Sequence, residues 1–410
     1  MTISDERSSG AEQGSVNRAT PRKILREVTH PALIPGIGVE DTPRKFGTNW
    51  AVFGIAGVAV LAVVLWGFLA PDSISAAGTA SLGWATENFG WLFSLLAVLT
   101  IVFMFVVGYG RTGGIRLGAD NETPEFSTVS WIAMLFSAGM GIGLLFWGPA
   151  EPLAYFNDVP YGFTSEAGSN DAMLDALAQS ILHWGPMAWA FYALVGGAIA
   201  YAAYRRGRAP LISAIFRPIF GERTEGWIGA VIDVFAIIVT LFGTGVTLGM
   251  GALQIASGVE YVSGIGPLGN TGLIVIVTVL TVAFVLSAVS GIKRGIRALS
   301  NINMVIAAVI GLFIFIAGPT LFLLDMIPAS VAAFFGDLWT MLMRNPGQGE
   351  DAAAFMSSWT NYYWAWWISW TPFVGMFIAK ISRCRTLREF VPVVIVVPSV
   401  VCILRFRIMC

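Results

Sequence analysis

The sequence predicts an all-α polytopic membrane protein. Of its 410 residues, 56% are hydrophobic and only 12% are charged, and the mean hydropathy is +0.73. Soluble domains carry about 25% charged residues. Apolar runs of about 20 residues, long enough to cross a bilayer as a helix, recur along the chain. A water-soluble enzyme is therefore excluded as a class, and we expect a multi-pass protein of the cell inner or plasma membrane.

The charged and reactive residues exclude several other functions. Lys plus Arg (24) nearly equals Asp plus Glu (25), so nothing indicates a nucleic-acid surface. Cys384, Cys402 and Cys410 form neither a disulfide framework nor a zinc motif, and His30 and His183 are the only histidines. No motif combines a nucleophile, a base and an orienting group. We expect no enzyme activity and no cofactor.

Nine segments are predicted to span the membrane. The polar residues 1–48 precede them and lack the apolar core of a signal peptide, so they are predicted to be a cytoplasmic tail. Residues 329–344 are moderately amphipathic and are predicted to be an external surface helix. The spans lie near 50–69, 90–110, 128–148, 177–203, 227–257, 271–291, 303–324, 358–379 and 390–407.

The basic residues predict the orientation. They concentrate in the N-terminal tail and in alternate loops, represented by Arg116, Arg205, Lys293 and Arg383. Cytoplasmic loops of membrane proteins are enriched in Lys and Arg. This alternation places the N-terminus in the cytoplasm and fits an architecture of nine spans.

The third span contains a glycine-rich run. Ser137 and Ala138 are followed by Gly139, Met140, Gly141, Ile142 and Gly143. Each glycine weakens a helix by about 1 kcal/mol relative to alanine. Close helix packing through small residues is one interpretation. We favour a broken helix whose free backbone groups hold a ligand or an ion, with Glu151 and Pro152 closing the segment near the outer surface.

The eighth span carries an aromatic stripe. Trp359, Tyr363, Trp366, Trp370 and Phe373 recur at helical spacing, and Trp364 and Trp367 lie beside them. Interfacial belts explain aromatic residues at helix ends but not a stripe that reaches mid-span. Indole faces attract quaternary ammonium groups, so a cation cage is the better interpretation. Pro372 is predicted to break or kink the helix where the stripe ends.

The fourth and fifth spans add residues to this picture. Pro186 predicts a local break after His183 and Trp184, with Trp189 and Tyr192 following. His183 is interpreted as a hydrogen-bonded structural residue. A polar stripe in the fifth span is predicted to face protein or water, and its Thr240 and Thr244 hydroxyls either ligate a small cation such as sodium or bond their own helix. The stripe consists of Asp233, Thr240, Thr244, Thr247, Gly251 and Gln254.

Two spans with helix-breaking sequence and opposite predicted directions indicate an inverted repeat. The third and eighth spans start five spans apart, so the first repeat comprises spans three to seven. The predicted divisions are 1–48, the tail; 49–126, two peripheral helices; 127–326, the first five-helix repeat; 327–357, an external loop; and 358–410, the start of the second repeat.

The sequence resembles the betaine/choline/carnitine transporter family. The glycine run of the third span, the motif from Trp359 to Gly375 and the following Ile381-Ser382-Arg383 carry the resemblance. It implies a LeuT-like inverted-repeat fold with two extra N-terminal helices, here with an incomplete second repeat, and a likeness to homotrimeric transporters. It further implies sodium-coupled uptake of glycine betaine or a related quaternary-ammonium solute in osmotic stress.

The resemblance also assigns residues. Trp184, Trp189, Tyr192 and Trp367 match an aromatic box around the trimethylammonium group, and Trp366 and Trp370 match neighbouring positions on the substrate path. Gly143 stands where choline carriers tend to have an acid, which favours a zwitterion. The remaining expected substrate contacts are Ala138, Gly139, Met140, Gly141 and Ser369, and the sodium positions are Ser137, Met140, Thr240, Thr244 and Phe373.

The sequence departs from the family pattern at three places. Cys384 replaces a glycine, Arg405 and Arg407 interrupt the ninth span, and the end of the sequence is interpreted as a truncation or an altered reading frame. The alternatives are therefore an ectoine, proline, choline or carnitine carrier of the same fold, and a non-transporting remnant.

Overall fold

The computed structural model describes residues 48–139, 142–291 and 295–409. Within these ranges the chain is helical, and its β-structure is a single isolated bridge between Arg116 and Thr386. The all-α prediction is confirmed. The helices are α1 Trp50–Leu69, α2 Pro71–Tyr109, α3 Thr128–Gly139, α4 Ile142–Asn157, α5 Asn170–Trp184, α6 Pro186–Ala200, α7 Ile212–Ile215, α8 Arg217–Phe220, α9 Trp227–Ser263, α10 Gly269–Val289, α11 Arg297–Ala317, α12 Thr320–Leu342, α13 Glu350–Phe355, α14 Asn361–Ile381 and α15 Leu387–Met409.

Eight stretches of the described chain are long and apolar enough to cross a membrane, against the nine spans predicted. The predicted third span corresponds to the shorter helices α3 and α4. The eighth corresponds to α14, whose many Trp and Tyr residues lower its hydropathy. Conversely, α12 is both long and apolar enough to cross a membrane, although part of it is predicted to be an external surface helix.

The boundary between the seventh span and the surface helix differs from the prediction. The sequence extends the span to residue 324 and starts the surface helix at 329, whereas α11 ends at Ala317 and α12 begins at Thr320. Gly318 and Pro319 separate the two helices, and proline supplies no backbone donor to continue α11. From there α12 packs along α5, burying Ser330, Phe334 and Met341.

The predicted break at Pro186 is confirmed. Helix α5 ends at Trp184, Gly185 adopts a non-helical backbone, and Pro186 begins α6. Proline is favoured at the first helical position because a backbone N–H at that position would have no acceptor within the helix, so its absence costs nothing. The fourth predicted span is thus two helices, and α6 continues through a π-helical turn at Tyr201–Arg205.

At Pro372 the helix is not broken. Helix α14 runs from Asn361 to Ile381 without interruption. The sequence predicts a break or a kink at Pro372, and the prediction of a break is wrong. The hydroxyl of Thr371 donates to the carbonyl of Ile368, 2.7 Å away, which is the carbonyl that Pro372 leaves without a backbone donor.

Near the glycine run, α3 ends at Gly139 and α4 begins at Ile142. The predicted contacts Met140 and Gly141 lie outside the described residues, and the side-chain surroundings of Ala138 and Gly139 are likewise not described. The prediction that Glu151 and Pro152 close this segment near the surface is wrong. Helix α4 continues to Asn157, and Glu151 is completely buried.

Helix α6 lies at the centre of the fold. It packs against α14, α15 and α2, and eleven of its side chains or glycines are buried. Glycines allow this close approach: a Cβ at Gly375 of α14 would lie 2.9 Å from Val195 Cγ1 and 3.1 Å from the Gly196 nitrogen. The core is therefore built where the fourth and eighth predicted spans meet.

The outer helices present apolar side chains outward. Helix α10 has no buried residue, and α1 buries only Val52 and Ala56. Large exposed side chains include Trp50, Phe68 and Phe313. Contiguous apolar surface of this extent is unstable in water and is typical of membrane proteins.

Candidate functional site

The aromatic residues predicted to form a cage meet at the centre of the fold. The break at Gly185 ends α5 at Trp184 and restarts the chain in α6, which carries Trp189 and Tyr192. Helix α14, packed against α6, supplies Trp366, Trp367 and Trp370. We keep the name aromatic box for Trp184, Trp189, Tyr192 and Trp367.

Ring contacts connect all four members of the aromatic box. The centroids of Trp184 and Trp367 are 4.8 Å apart, with the rings nearly perpendicular. Tyr192 lies 6.2 Å from Trp367 and 5.6 Å from Trp189, again edge-to-face. Each member is buried, with at most 6% of its surface exposed. Sequence reasoning thus identified residues from three helices that do lie together.

Trp366 and Trp370 extend the box along α14. Trp366 stacks on Trp367 at 4.8 Å and meets Trp184 edge-on at 5.7 Å. Trp370 follows one turn later, 6.4 Å from Trp366. Its indole also lies against Gly243 of α9, where an added Cβ would be 3.3 Å from Nε1.

The helix break orients Trp367. Its indole N–H donates to the carbonyl oxygen of His183 at 2.8 Å. Carbonyls in the last turn of a helix lack intrahelical donors, so α5 offers this acceptor because it ends at Trp184. The ring that is expected to face a substrate is therefore fixed by the break before Pro186.

Gly143 lies directly against the aromatic residues. A Cβ there would lie 3.2 Å from Cη2 of Trp366 and 3.7 Å from Cη2 of Trp184. The glycine run therefore reaches the box, as predicted. Ser369 points elsewhere: it is exposed, and its hydroxyl donates to the Trp366 carbonyl at 2.7 Å.

A buried polar cluster, which we call the Glu151 cluster, lies behind the aromatic box. Its centre is the Glu151 carboxylate of α4, and its other members are Gln179, His183, Thr360, Tyr363 and Arg344. Glu151 Oε2 accepts from Trp184 Nε1 and from the Tyr363 hydroxyl, each at 2.6 Å. Glu151 Oε1 lies 2.7 Å from His183 Nδ1.

The other nitrogen of His183 faces two further members. Nε2 lies 3.0 Å from Gln179 Nε2 and 3.1 Å from the Thr360 hydroxyl. Arg344 donates to Gln179 Oε1, and its guanidinium lies over the rings of Phe163 and Phe355. The prediction of a hydrogen-bonded structural His183 matches this environment.

Sequence reasoning missed Glu151 and underrated Tyr363. The sequence places Glu151 at the end of a span because Pro152 follows it. The signal that identifies it is a lone carboxylate within an apolar run, since an ionisable residue inside a membrane span marks a functional site by default. Tyr363 belongs to the predicted stripe and links the box to Glu151, with its ring 5.6 Å from Trp184.

The predicted sodium positions are only partly brought together. Helices α9 and α14, which carry Thr240, Thr244 and Phe373, pack against each other. Ser137 of α3 instead donates to the Ser300 carbonyl of α11 at 3.3 Å. The Thr240 and Thr244 hydroxyls donate to Ala236 and Thr240 carbonyls in their own helix at 2.7 and 2.8 Å.

Both hydroxyls thus bond their own helix, which is the second of the two interpretations given for them. A hydroxyl that donates its hydrogen keeps oxygen lone pairs free to accept, and oxygen ligands suit hard cations. Thr244 of the stripe and Phe373 of α14 are both exposed among the described residues. Asp233 of the same stripe is half-buried and accepts from the Ser213 amide and hydroxyl at 3.0 and 2.7 Å.

The helical architecture and the apolar outer surface together define a multi-pass membrane protein, and the aromatic box lies buried at its centre. Residues 51–410 match the betaine/carnitine/choline family transporters. The chain belongs to this family, so it is related to transporters and not to enzymes.

Individual relatives agree with this assignment. The betaine/ectoine transporter LcoP of Corynebacterium glutamicum is 48% identical over 380 residues, 93% of this chain and 60% of that protein. The glycine betaine transporter OpuD of Bacillus subtilis is 41% identical over 361 residues, 87% of this chain and 69% of that protein. A glycine betaine/proline/choline transporter of Vibrio parahaemolyticus is 35% identical over 387 residues, 90% of this chain and 69% of that protein.

Proposed function

We propose that this chain takes part in sodium-coupled symport of glycine betaine or a similar quaternary-ammonium compatible solute. The observation that carries the proposal is the buried aromatic box, in which Trp184, Trp189, Tyr192 and Trp367 converge from three helices. Indole faces bind trimethylammonium groups with roughly 1–2 kcal/mol each when desolvated. The names of the relatives point to the same class of substrate.

The proposed mechanism is alternating access around the aromatic box. Helices α4, α5, α6 and α14 surround the site, and the break at Gly185 lies beside it. Movement of these elements against the outer helices would expose the site first to one side of the membrane and then to the other. Uptake of a compatible solute in this way serves osmotic stress protection.

Sodium coupling is proposed from residue chemistry. Thr240 and Thr244 offer two hydroxyl oxygens one helical turn apart, and Phe373 lies on the helix packed against theirs. Met140, also assigned to sodium by resemblance, belongs to the same proposal.

The proposal extends to the setting of the protein. It places the N-terminus in the cytoplasm, the apolar helices in the plasma or inner membrane, and three copies in a homotrimer. The chain spans 60% of the length of LcoP and 69% of that of OpuD. Activity of the whole protein is therefore part of the proposal.

Radiolabelled glycine betaine uptake tests the proposal. In osmolyte-uptake-deficient bacteria that express the chain, we expect accumulation in sodium medium that falls at least about tenfold with Trp367→Leu, since the variant loses one indole face and its bond to His183. Trp227→Leu, at a tryptophan that is 76% exposed, is the matched control and is expected to retain uptake.

Other outcomes would replace parts of the proposal. Uptake that persists without sodium would indicate proton coupling or exchange. Stronger competition by ectoine, proline, choline or carnitine would change the substrate, and ectoine is the specific second candidate because LcoP is a betaine/ectoine transporter. Betaine binding without accumulation would identify a non-transporting remnant.

A further inference from the structure

The Glu151 cluster contacts the aromatic box through hydrogen bonds and not only through packing. We propose that an anionic Glu151 polarises Trp184 and Tyr363 and thereby determines the preference of the site for a cationic trimethylammonium group over an uncharged group of the same shape. The inference rests on the proposed function, because it concerns the substrate of the same site.

The first step is the orientation of the Gln179 amide. The Arg344 guanidinium, which only donates, contacts Gln179 Oε1. Burial lowers the pKa of Arg344 to about 10, which leaves it a cation at neutral pH. The oxygen of the Gln179 amide therefore faces Arg344, and its NH₂ group faces His183.

The second step is the tautomer of His183. The Gln179 NH₂ group lies 3.0 Å from His183 Nε2, so this nitrogen must accept and carries no proton. The Thr360 hydroxyl lies 3.1 Å from the same nitrogen and, because a hydroxyl can rotate to donate or to accept, it is compatible with either tautomer. The proton of a neutral imidazole then lies on Nδ1, which is the nitrogen 2.7 Å from Glu151 Oε1.

The third step is the charge of Glu151. His183 Nδ1–H and Trp184 Nε1–H both point at the carboxyl group, and the Tyr363 hydroxyl is 2.6 Å from Oε2. An ionised carboxylate only accepts and uses all three donors, whereas a carboxylic acid would have to donate to the hydroxyl of Tyr363 or of the neighbouring Tyr155 and turn that hydroxyl's own hydrogen away from Glu151. Hydrogen bonds of hydroxyls to carboxylates are short, roughly 2.5–2.7 Å, as observed at Tyr363.

The fourth step connects this charge to the substrate. A hydrogen bond from an indole N–H or a phenol O–H to a carboxylate pushes electron density into the ring, and hydrogen-bonded groups polarise one another strongly in a low-dielectric interior. The ring faces become more negative, which strengthens their attraction for a cation. Trp184 belongs to the aromatic box, and Tyr363 stacks at 6.0 Å on both Trp366 and Trp367.

A purely structural carboxylate would act differently. It would hold the rings in place for any ligand of suitable shape, so its removal would weaken charged and uncharged ligands alike. A polarising carboxylate strengthens the binding of the cationic ligand alone. The distinguishing measurement is therefore the ratio of two affinities and not the affinity for betaine by itself.

The experiment compares glycine betaine with 3,3-dimethylbutyrate, in which a tert-butyl group replaces trimethylammonium. Binding to the purified chain is followed by tryptophan fluorescence. We expect wild-type protein to bind glycine betaine more tightly than 3,3-dimethylbutyrate. Glu151→Gln should lower the affinity for glycine betaine about tenfold and change the affinity for 3,3-dimethylbutyrate less than about twofold. Asp175→Asn, at a carboxylate of α5 bonded to Ser165, is the matched control and is expected to leave both affinities unchanged.

A second readout guards against a variant that folds poorly. The indole N–H proton of Trp184, assigned with Trp184→Phe, is expected to resonate at unusually low field in wild-type protein and to move upfield in Glu151→Gln. The inference is overturned if Glu151→Gln weakens the binding of both ligands equally, or if the ratio of the two affinities and the Trp184 resonance both stay unchanged. The proposed function stands in either case. Failure of the folded wild-type protein to bind glycine betaine overturns the proposed function and, with it, the inference.

Discussion

Position 384, where the resemblance leads us to expect glycine, shows how a single residue can impose a structural cost. Cys384 is the only non-glycine with positive φ among the described residues, at 67°. Its amide donates to the Leu117 carbonyl at 2.8 Å, and Leu117 donates back to Arg385, which locks the two loops together. Glycine is expected here by resemblance because it adopts this backbone without strain.

We predict that Cys384→Gly is tolerated and that Cys384→Val is not. The left-handed conformation costs an L-residue roughly 1–2 kcal/mol, and a β-branched side chain tolerates it least. Thermal unfolding of the detergent-purified protein should place the valine variant below the glycine variant by at least about 1 kcal/mol. Equal unfolding temperatures would show that φ at this position imposes no strain.

The site residues differ in how far sequence could predict them. The aromatic stripe of the eighth span could be predicted because aromatic residues at mid-span have few ordinary explanations, whereas the set of Trp184, Trp189, Tyr192 and Trp367 followed from the resemblance to the family. Glu151 could not be predicted, since its burial depends on α4 continuing past Pro149 and Pro152, which sequence-based reasoning treats as helix ends. Its partners come from positions up to 212 residues distant, and no local pattern encodes such a pairing.

At the scale of elements, two prolines with similar sequence signals had different outcomes. Pro186 begins a new helix, because Gly185 before it leaves the helical conformation. Pro372 stays inside α14, because the Thr371 hydroxyl satisfies the carbonyl that the proline cannot. Serine and threonine side chains commonly perform this role in membrane helices. A proline alone therefore does not decide between a break and a continuous helix.

Thr371 is accordingly predicted to stabilise α14. Thr371→Val keeps the shape but leaves the carbonyl of the half-buried Ile368 without its hydroxyl donor, which costs about 1 kcal/mol. Thr371→Ser retains the hydroxyl and is expected to unfold within about 0.5 kcal/mol of wild-type protein. Thermal unfolding of the two variants measures the difference, and a valine variant as stable as the serine variant would refute this role.

At the scale of the whole molecule, composition and hydropathy were sufficient to predict a polytopic helical membrane protein. They did not fix the number of spans: α12, part of which is predicted to be a surface helix, is long and apolar enough to cross a membrane, whereas the aromatic helix α14 is not apolar enough. The helices that line the site are the more buried ones, while α1, α10 and α11 are exposed to the surroundings. The pattern of apolar residues thus predicts the exposed outer helices better than the buried helices that line the site.

The central claim is that the aromatic box binds a quaternary-ammonium solute together with sodium. Calorimetric titration of glycine betaine into the purified chain, in sodium chloride and in potassium chloride at equal ionic strength, tests it most directly. We predict saturable binding that is several-fold tighter in sodium and is lost in Trp367→Leu. Absence of binding to the folded chain in both salts, or equal binding that survives Trp367→Leu, would contradict it.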